Sequence, residues 1–252
     1  MGMVWSRGRN MAVSQVTVNR DSSSDRIRRA AIDLFNARGY HGTPVRALAR
    51  IVRVEAASLY YHFPSKQKIL ADIFTRVMDD LLAGLEQAME SGTTVEDRLR
   101  AVVRFHVLFH AERQAEANIS RSELRSLTPS NLRRIVAKRD RYEGMLRSLL
   151  TEGVKAGVFG VRDVPVTATA ILTMCSEVSH WFSSRGRLSA EAVADEYASM
   201  VQQLVGQRDG RASSGPRPRN VPAAAWQKTR RRHPQHCKPA VLSTRDTGRR
   251  VP

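Results

Sequence analysis

The chain has 252 residues, 42% hydrophobic and 26% charged, enough for one sizeable core or two small ones. Its formal net charge of +17 and pI of about 11.1 point to a polyanionic partner, nucleic acid before membrane. Two cysteines, Cys175 and Cys237, argue against a disulfide framework, and no run approaches the ~18 apolar residues of a bilayer span. The opening MGMVWSRGRNMAVSQV lacks the unbroken apolar stretch of a signal peptide, and Met1, Met3 and Met11 each offer a start. A soluble cytoplasmic protein is expected.

The charge is unevenly placed. Residues 26–70 carry +7 and residues 208–252 carry +10, whereas 71–207 carry −1. A basic head on a neutral body is the charge map of a nucleic-acid-binding protein with a second task. Residues 1–24 are polar and aperiodic and read as a disordered arm. The serines 22–24 then precede Ile27, Ala30, Ala31, Leu34 and Phe35, one helical face closed by Gly39. Thr43 as cap, with Pro44 at the first helical position, opens a second short helix carrying Val45, Leu48, Ala49 and Val52, and a third runs over 55–61. Ser65 caps a long fourth helix with Ile69, Leu70, Ile73, Phe74, Val77, Met78, Leu81, Leu82 and Leu85 on its apolar side.

In the body, Thr94 and Asp97 form a capping box opening a helix to about residue 111. The spacing predicts a polar helix over 112–127, another from Pro129 to Gly157, an apolar one over 165–184, and a last one from Ser189 to about 205. The fold class is all-α, with about nine helices. From 208 to 252 the periodicity is lost, leaving a disordered basic tail containing KTRRRH.

Three short helices within about 40 residues, with a tight turn between the second and third, make a helix-turn-helix. Leu48, Ala49 and Leu59 supply a small core, and the third helix is short enough to present its side chains outward, into a major groove. Here the chain resembles the TetR family of bacterial repressors. The resemblance is carried by Gly39-Tyr40, Gly42-Thr43, Leu59-Tyr60-Tyr61-His62-Phe63 and Ser65-Lys66, and is closest over about 26–75. It implies a DNA-binding domain at 25–70 and an effector-binding and dimerisation domain at 71–207.

By this resemblance Thr43, Tyr61, His62 and Lys66 hold phosphates, while Ala56, Ala57, Ser58 and Tyr60 face base edges. Arg46 and Arg53 complete the DNA-binding set, and Phe63 anchors the head to the body. The chain departs from the family at the turn, where Val52-Arg53 replaces Ala-Gly, and at Glu55, which replaces a Ser/Thr cap. An arginine at a positive φ costs about 1 kcal/mol, and Glu55 suits a helix N-terminus but repels phosphate.

His106 and His110 stand four apart, a metal-like spacing, but Val107 breaks the zinc-protease pattern and no third ligand cluster is evident. They are expected to border a pocket instead. Phe105, His106, Phe109, Tyr142, Met145, Met174 and Trp181 form the expected effector set, for which ordinary core packing is the competing reading. The stretch WFSSRGRLSAEAVADEYASMV resembles the branch of the family that responds to fatty-acyl or steroid-derived CoA thioesters, with Arg121, Arg125, Arg133 and Arg134 available to an anionic head group. The resemblance implies a homodimeric repressor without enzymatic activity, cofactor or metal. It would pair through its last two body helices and leave a palindromic operator on binding a small hydrophobic effector. The rival readings are a nonspecific nucleic-acid binder driven by the tail, a family member sensing toxic hydrophobic compounds, and an enzyme using His106 and His110.

Overall fold

A computed structural model describes residues 22–206. The arm up to residue 21, the tail 208–252 and Cys237 lie outside the described residues. Helix α1 (Ser23–Arg38) begins where the Ser22 hydroxyl accepts the Asp25 N–H, two residues inside the stretch read as the arm. It buries Ile27, Ala31, Leu34 and Phe35 against α2 (Val45–Val52) and α3 (Ala56–His62). Leu48 and Ala49 of α2 and Leu59 of α3 fill the small core, as the spacing predicts. Phe63, the first residue past α3, is also buried.

The turn between α2 and α3 is closed by Arg53 at φ 57°, ψ 47°. It is the one non-glycine residue at positive φ among the described residues. Adopting the left-handed conformation lets the Val54 N–H reach the Ala49 carbonyl at 3.0 Å. From α1, Arg26 Nη2 donates to the Val52 carbonyl at 2.8 Å, satisfying an acceptor freed at the helix end.

Helix α4 (Lys66–Glu90) starts at Ser65, whose Oγ accepts the Lys68 N–H at 3.1 Å, and runs from the head through the body. Buried Arg28 of α1 donates through Nε to Asp72 of α4 at 2.6 Å and through Nη1 to Asp25, tying head to body. In the body, α5 (Val95–Glu112) opens on the expected capping box: the Asp97 N–H donates to Thr94 Oγ1 at 3.1 Å, and the Thr94 N–H to Asp97 Oδ2 at 3.3 Å.

The polar stretch 112–127 divides at Arg113 into α6 (Gln114–Ser122) and a 3-10 turn (Leu124–Ser126). Arg113 there pairs with Asp80 at 2.6 Å and Glu116 at 3.1 Å. Then come α7 (Pro129–Lys155), α8 (Val164–Ser176), α9 (Val178–Trp181) and α10 (Ala190–Val205), the last packed along α5 through fully buried Ala194 and Ala198.

The single helix expected over 165–184 is broken. The Ser179 hydroxyl donates back to the Ser176 carbonyl at 2.8 Å across a turn at Glu177, and Phe182 turns extended with its carbonyl accepting from Gln114 at 2.8 Å. The loop between α7 and α8 is fastened to the end of α10 where the Gly160 N–H donates to the Val205 carbonyl at 2.8 Å. Gly153 leaves room for the Phe159 ring, which would stand 2.0 Å from any Cβ placed there.

Relieving the strained turn should be measurable. Arg53→Gly is expected to stabilise the chain by up to about 1 kcal/mol, raising the melting temperature by roughly 2–4 °C. A fall in melting temperature would mean that the Arg53 side chain stabilises more than its backbone strain costs.

Candidate nucleic-acid interface and ligand cavity

Helix α3 has seven residues and buries only Leu59, so most of its remaining surface faces outward. Ala57 and Ser58 are exposed, Tyr60 is 47% exposed and Tyr61 87%. Ala56 is half-buried, and Arg46, Arg50, Arg53 and Ile51 are exposed on and just beyond α2. An exposed aromatic pair beside four exposed basic or apolar side chains is a surface that can meet base edges and phosphates together.

Two of the expected phosphate ligands are engaged internally. Thr43 is fully buried, and its hydroxyl lies 2.9 Å from the Gly39 carbonyl and 3.3 Å from that of Leu34, so it braces the turn between α1 and α2, is not placed to touch a phosphate, and does not cap α2, which starts at Val45 after Pro44 with no side-chain cap. Lys66 Nζ donates to the Thr43 carbonyl at 2.8 Å and sits 4.2 Å above the Tyr40 ring. Partial burial lowers its pKa, with nearby Glu123 opposing the shift. His62 is half-buried, its Nδ1 3.4 Å from Ser24 Oγ.

The same corner joins head to body through residues that sequence patterns did not single out. Glu123, just past α6, accepts the Tyr40 N–H at 3.1 Å on Oε1 and the Ser126 hydroxyl at 2.7 Å on Oε2. Ser126 Oγ lies 3.3 Å from His41 Nε2, and the Ser126 carbonyl accepts from Gln67 of α4. Nothing in the periodicity of a polar stretch distinguishes Glu123 from the solvated carboxylates around it.

A cavity of about 340 Å³ lies in the body between α4, α5, α6, α7 and α8. Its apolar lining includes Val77, Met78, Leu81 and Leu172, and its polar lining His106, His110, Ser120, Arg139, Tyr142 and Ser176. Arg121, which is exposed, and Glu143 also line it. His106 Nδ1 stands 2.7 Å from Tyr142 Oη and its Nε2 3.0 Å from Ser176 Oγ, which is 3.5 Å from His110 Nε2. The two imidazole centroids are 4.5 Å apart. Burial holds His106 well below its usual range, helped by the neighbouring His110, and pulls His110 down to about 4. Both rings are therefore neutral near pH 7.

Of the expected effector set, the structure brings together His106 and Tyr142 at this cavity and places the others elsewhere. Phe105 fills the space over Gly84 on a separate open groove of about 610 Å³. Phe109 is buried beneath the Arg113 guanidinium, 4.7 Å from its ring centroid. Met145 and Met174 pack against the core without lining the cavity. Trp181 is 54% exposed and stacks on Tyr197, because the break after α8 turns it outward. Among the four expected arginines only Arg121 reaches the cavity; Arg134 borders a small polar notch with Lys68 and Asp72, and Arg125 and Arg133 are exposed.

A family model described as "Bacterial regulatory proteins, tetR family" matches residues 27–73, and one described as "Tetracyclin repressor-like, C-terminal domain" matches 92–205. A solved bacterial regulatory protein in the tetR family from Rhodococcus RHA1 superposes with a TM-score of 0.70 at 30% identity, covering 75% of this chain and 99% of that one. The chain belongs to the TetR family of transcriptional regulators. The repressor KstR2 of Mycolicibacterium smegmatis is 27% identical over 193 residues, 75% of this chain and 93% of the relative. A structure of AibR in complex with isovaleryl coenzyme A and operator DNA matches with a TM-score of 0.65 at 27% identity, covering 71% of this chain and 97% of that one. Among the described residues no helix is long and apolar enough to cross a membrane, and no group of three or more His, Cys, Asp or Glu side chains could hold a metal ion.

For this TetR-family chain the histidine pair, His106 buried and His110 partly so, makes stability depend on pH. A histidine whose folded pKa lies near 4, against 6.5 when free, binds fewer protons folded than unfolded at intermediate pH, so stability falls as pH drops below 6.5. On going from pH 7.5 to pH 5, His110 alone is expected to remove about 2 kcal/mol, and His106 acts in the same direction. Urea denaturation at the two pH values measures this, and His110→Gln should flatten the profile.

Proposed function

We propose that the protein is a homodimeric, non-enzymatic transcriptional repressor, acting in the cytoplasm, that reads a palindromic operator through α3 and releases it on binding a small hydrophobic effector. The observation that carries this reading is α3 itself: one side is fixed by Leu59, and the other offers Ala57, Ser58, Tyr60 and Tyr61 to a groove. In this reading residues 25–70 are the DNA-binding domain and 71–207 the effector and dimerisation domain. Arg46, Arg53, Tyr61 and His62 contact the backbone, Ala56, Ala57, Ser58 and Tyr60 contact bases, and Lys66 acts mainly by bracing Thr43.

The exposed apolar side chains Val166 of α8, Trp181 of α9, and Met200 and Leu204 of α10 support pairing of those helices with their mates. The cavity supports an effector with an apolar body and an anionic end, as a CoA thioester has, since Arg121 and Arg139 line it. AibR, crystallised with isovaleryl coenzyme A, supports the same ligand class. A responsive mechanism follows from α6, which lines the cavity with Ala117, Ser120 and Arg121 and is followed directly by Glu123, the residue that grips Tyr40. A ligand that displaces α6 would move that grip and turn the two heads out of operator register.

Fluorescence anisotropy over a salt series tests the reading, using a duplex from upstream of the protein's own gene and a scrambled duplex. Full-length protein and a chain ending at Gln207 should both prefer the native duplex by ~100-fold or more. Equal binding to both duplexes, or loss of all binding without residues 208–252, would instead favour a nonspecific binder driven by the tail. Tyr60→Ala should cost about 1–3 kcal/mol on the native duplex and narrow the preference, whereas Tyr61→Ala should weaken both duplexes alike. With isovaleryl coenzyme A as the probe, Glu123→Ala is expected to keep ligand binding in calorimetry and lose the ligand's effect on anisotropy; an unchanged effect would remove Glu123 from the mechanism.

A further inference from the structure

Among the described residues two buried side-chain polar atoms have no hydrogen-bond partner, His110 Nδ1 and Ser120 Oγ. They lie on different helices, α5 and α6, yet both residues line the same cavity. Buried polar groups in folded proteins are nearly always paired, so two exceptions at one cavity mark the place where something else supplies the partners. The neighbouring polar atoms are already engaged. His106 is held between Tyr142 and Ser176, and Arg139 Nη2 donates to the Ser120 carbonyl at 2.9 Å. The rest of the lining is largely aliphatic.

From this, and resting on the reading of the cavity as the effector site, we propose that its ligand is a compact hydrophobic molecule bearing a carbonyl or hydroxyl oxygen on its buried part, bonded by His110 Nδ1 and Ser120 Oγ. A plain alkyl chain does not suit the site. It offers no partner to either atom, so both would stay buried and unpaired. An oxygen on the ligand, met by a small rotation of the two side chains, supplies the hydrogen bonds they lack. Neutral imidazole can present Nδ1 as donor or as acceptor, and the serine hydroxyl can do either, so both a ketone and an alcohol fit. A pocket organised to bond such an oxygen discriminates strongly against the analogue that lacks it. Arg139 and Arg121 on the lining can meet a carboxylate or a phosphate at the other end of the molecule.

The test is isothermal titration calorimetry of the full-length protein with decanoate, ω-hydroxydecanoate and (ω−1)-oxodecanoate. At least one oxygenated acid is expected to bind tenfold or more tightly than decanoate, and the stronger of the two tells hydroxyl from carbonyl. The preference should shrink below threefold in Ser120→Ala and in His110→Phe, with decanoate itself binding no worse. Decanoate binding as tightly as both oxygenated acids, or binding of none of the three, overturns the proposal from the wild-type protein alone, whatever the variants' folding. A preference that survives both substitutions in folded variants, judged by circular dichroism, overturns it too. The same probes added to the operator anisotropy assay separate the two claims. An oxygen preference without operator release keeps the ligand class and sinks the effector reading, and operator release without an oxygen preference does the reverse.

Discussion

A seven-residue helix with one buried side chain cannot sustain itself, and α3 is such a helix. Isolated helices shorter than about 12 residues are marginal in water even with favourable sequences. The geometry of α3 is therefore supplied from outside: by Leu59 in the head core, by Phe63 just beyond its end, and by the left-handed turn at Arg53 just before it. Much of the polar chemistry of the head serves that purpose. The Thr43 hydroxyl, the Lys66 ammonium and the Arg26 guanidinium all satisfy backbone carbonyls at the corners of the three helices. Scaffolding uses side chains that would otherwise be free for a polyanion, and in exchange Tyr60 and Tyr61 are held at a fixed attitude toward solvent.

The body shows the opposite compromise. Its core is mostly aliphatic, yet it places Tyr142 and two neutral histidines beside Ser176 at a cavity wall. Buried polar networks stabilise when complete and penalise the fold when incomplete. His106 is satisfied at both ring nitrogens, whereas His110 is satisfied at only one, and that loosely. The fold thus carries one polar group that stabilises and one that does not, side by side on α5.

Much of this was legible in the sequence, and the parts that were not share a cause. The helix starts at Ser65, Thr94 and Ser189 and the strained turn at Arg53 follow from local chemistry, which acts over a few residues and leaves a readable pattern. The break after α8 did not show, because 165–184 is apolar on nearly every face and periodicity cannot mark an interruption in such a run. Aromatic content was likewise a poor guide to the cavity. Phe105, Phe109 and Trp181 are placed by what lies opposite them, a missing Cβ at Gly84, a guanidinium and a neighbouring tyrosine, none of it adjacent in sequence. Thr43 was identified at the right corner but with the wrong partner, since whether a hydroxyl faces inward depends on the path of the chain four to nine residues earlier.

The polar lining of the cavity comes mostly from α5, α7 and α8, with Ser120 and Arg121 added by α6, whereas the grip on the head sits just past the end of α6. On the effector reading, recognition is spread over five helices, and only its α6 part adjoins the residue that grips the head. Substitutions at positions 106, 110, 142 or 176 can retune which molecule is accepted while leaving the link to Tyr40 untouched. Such a division allows one scaffold to diversify toward new signals by drift in a handful of interior positions, and it marks those positions as the starting library for anyone wishing to turn this chain into a sensor for a chosen compound.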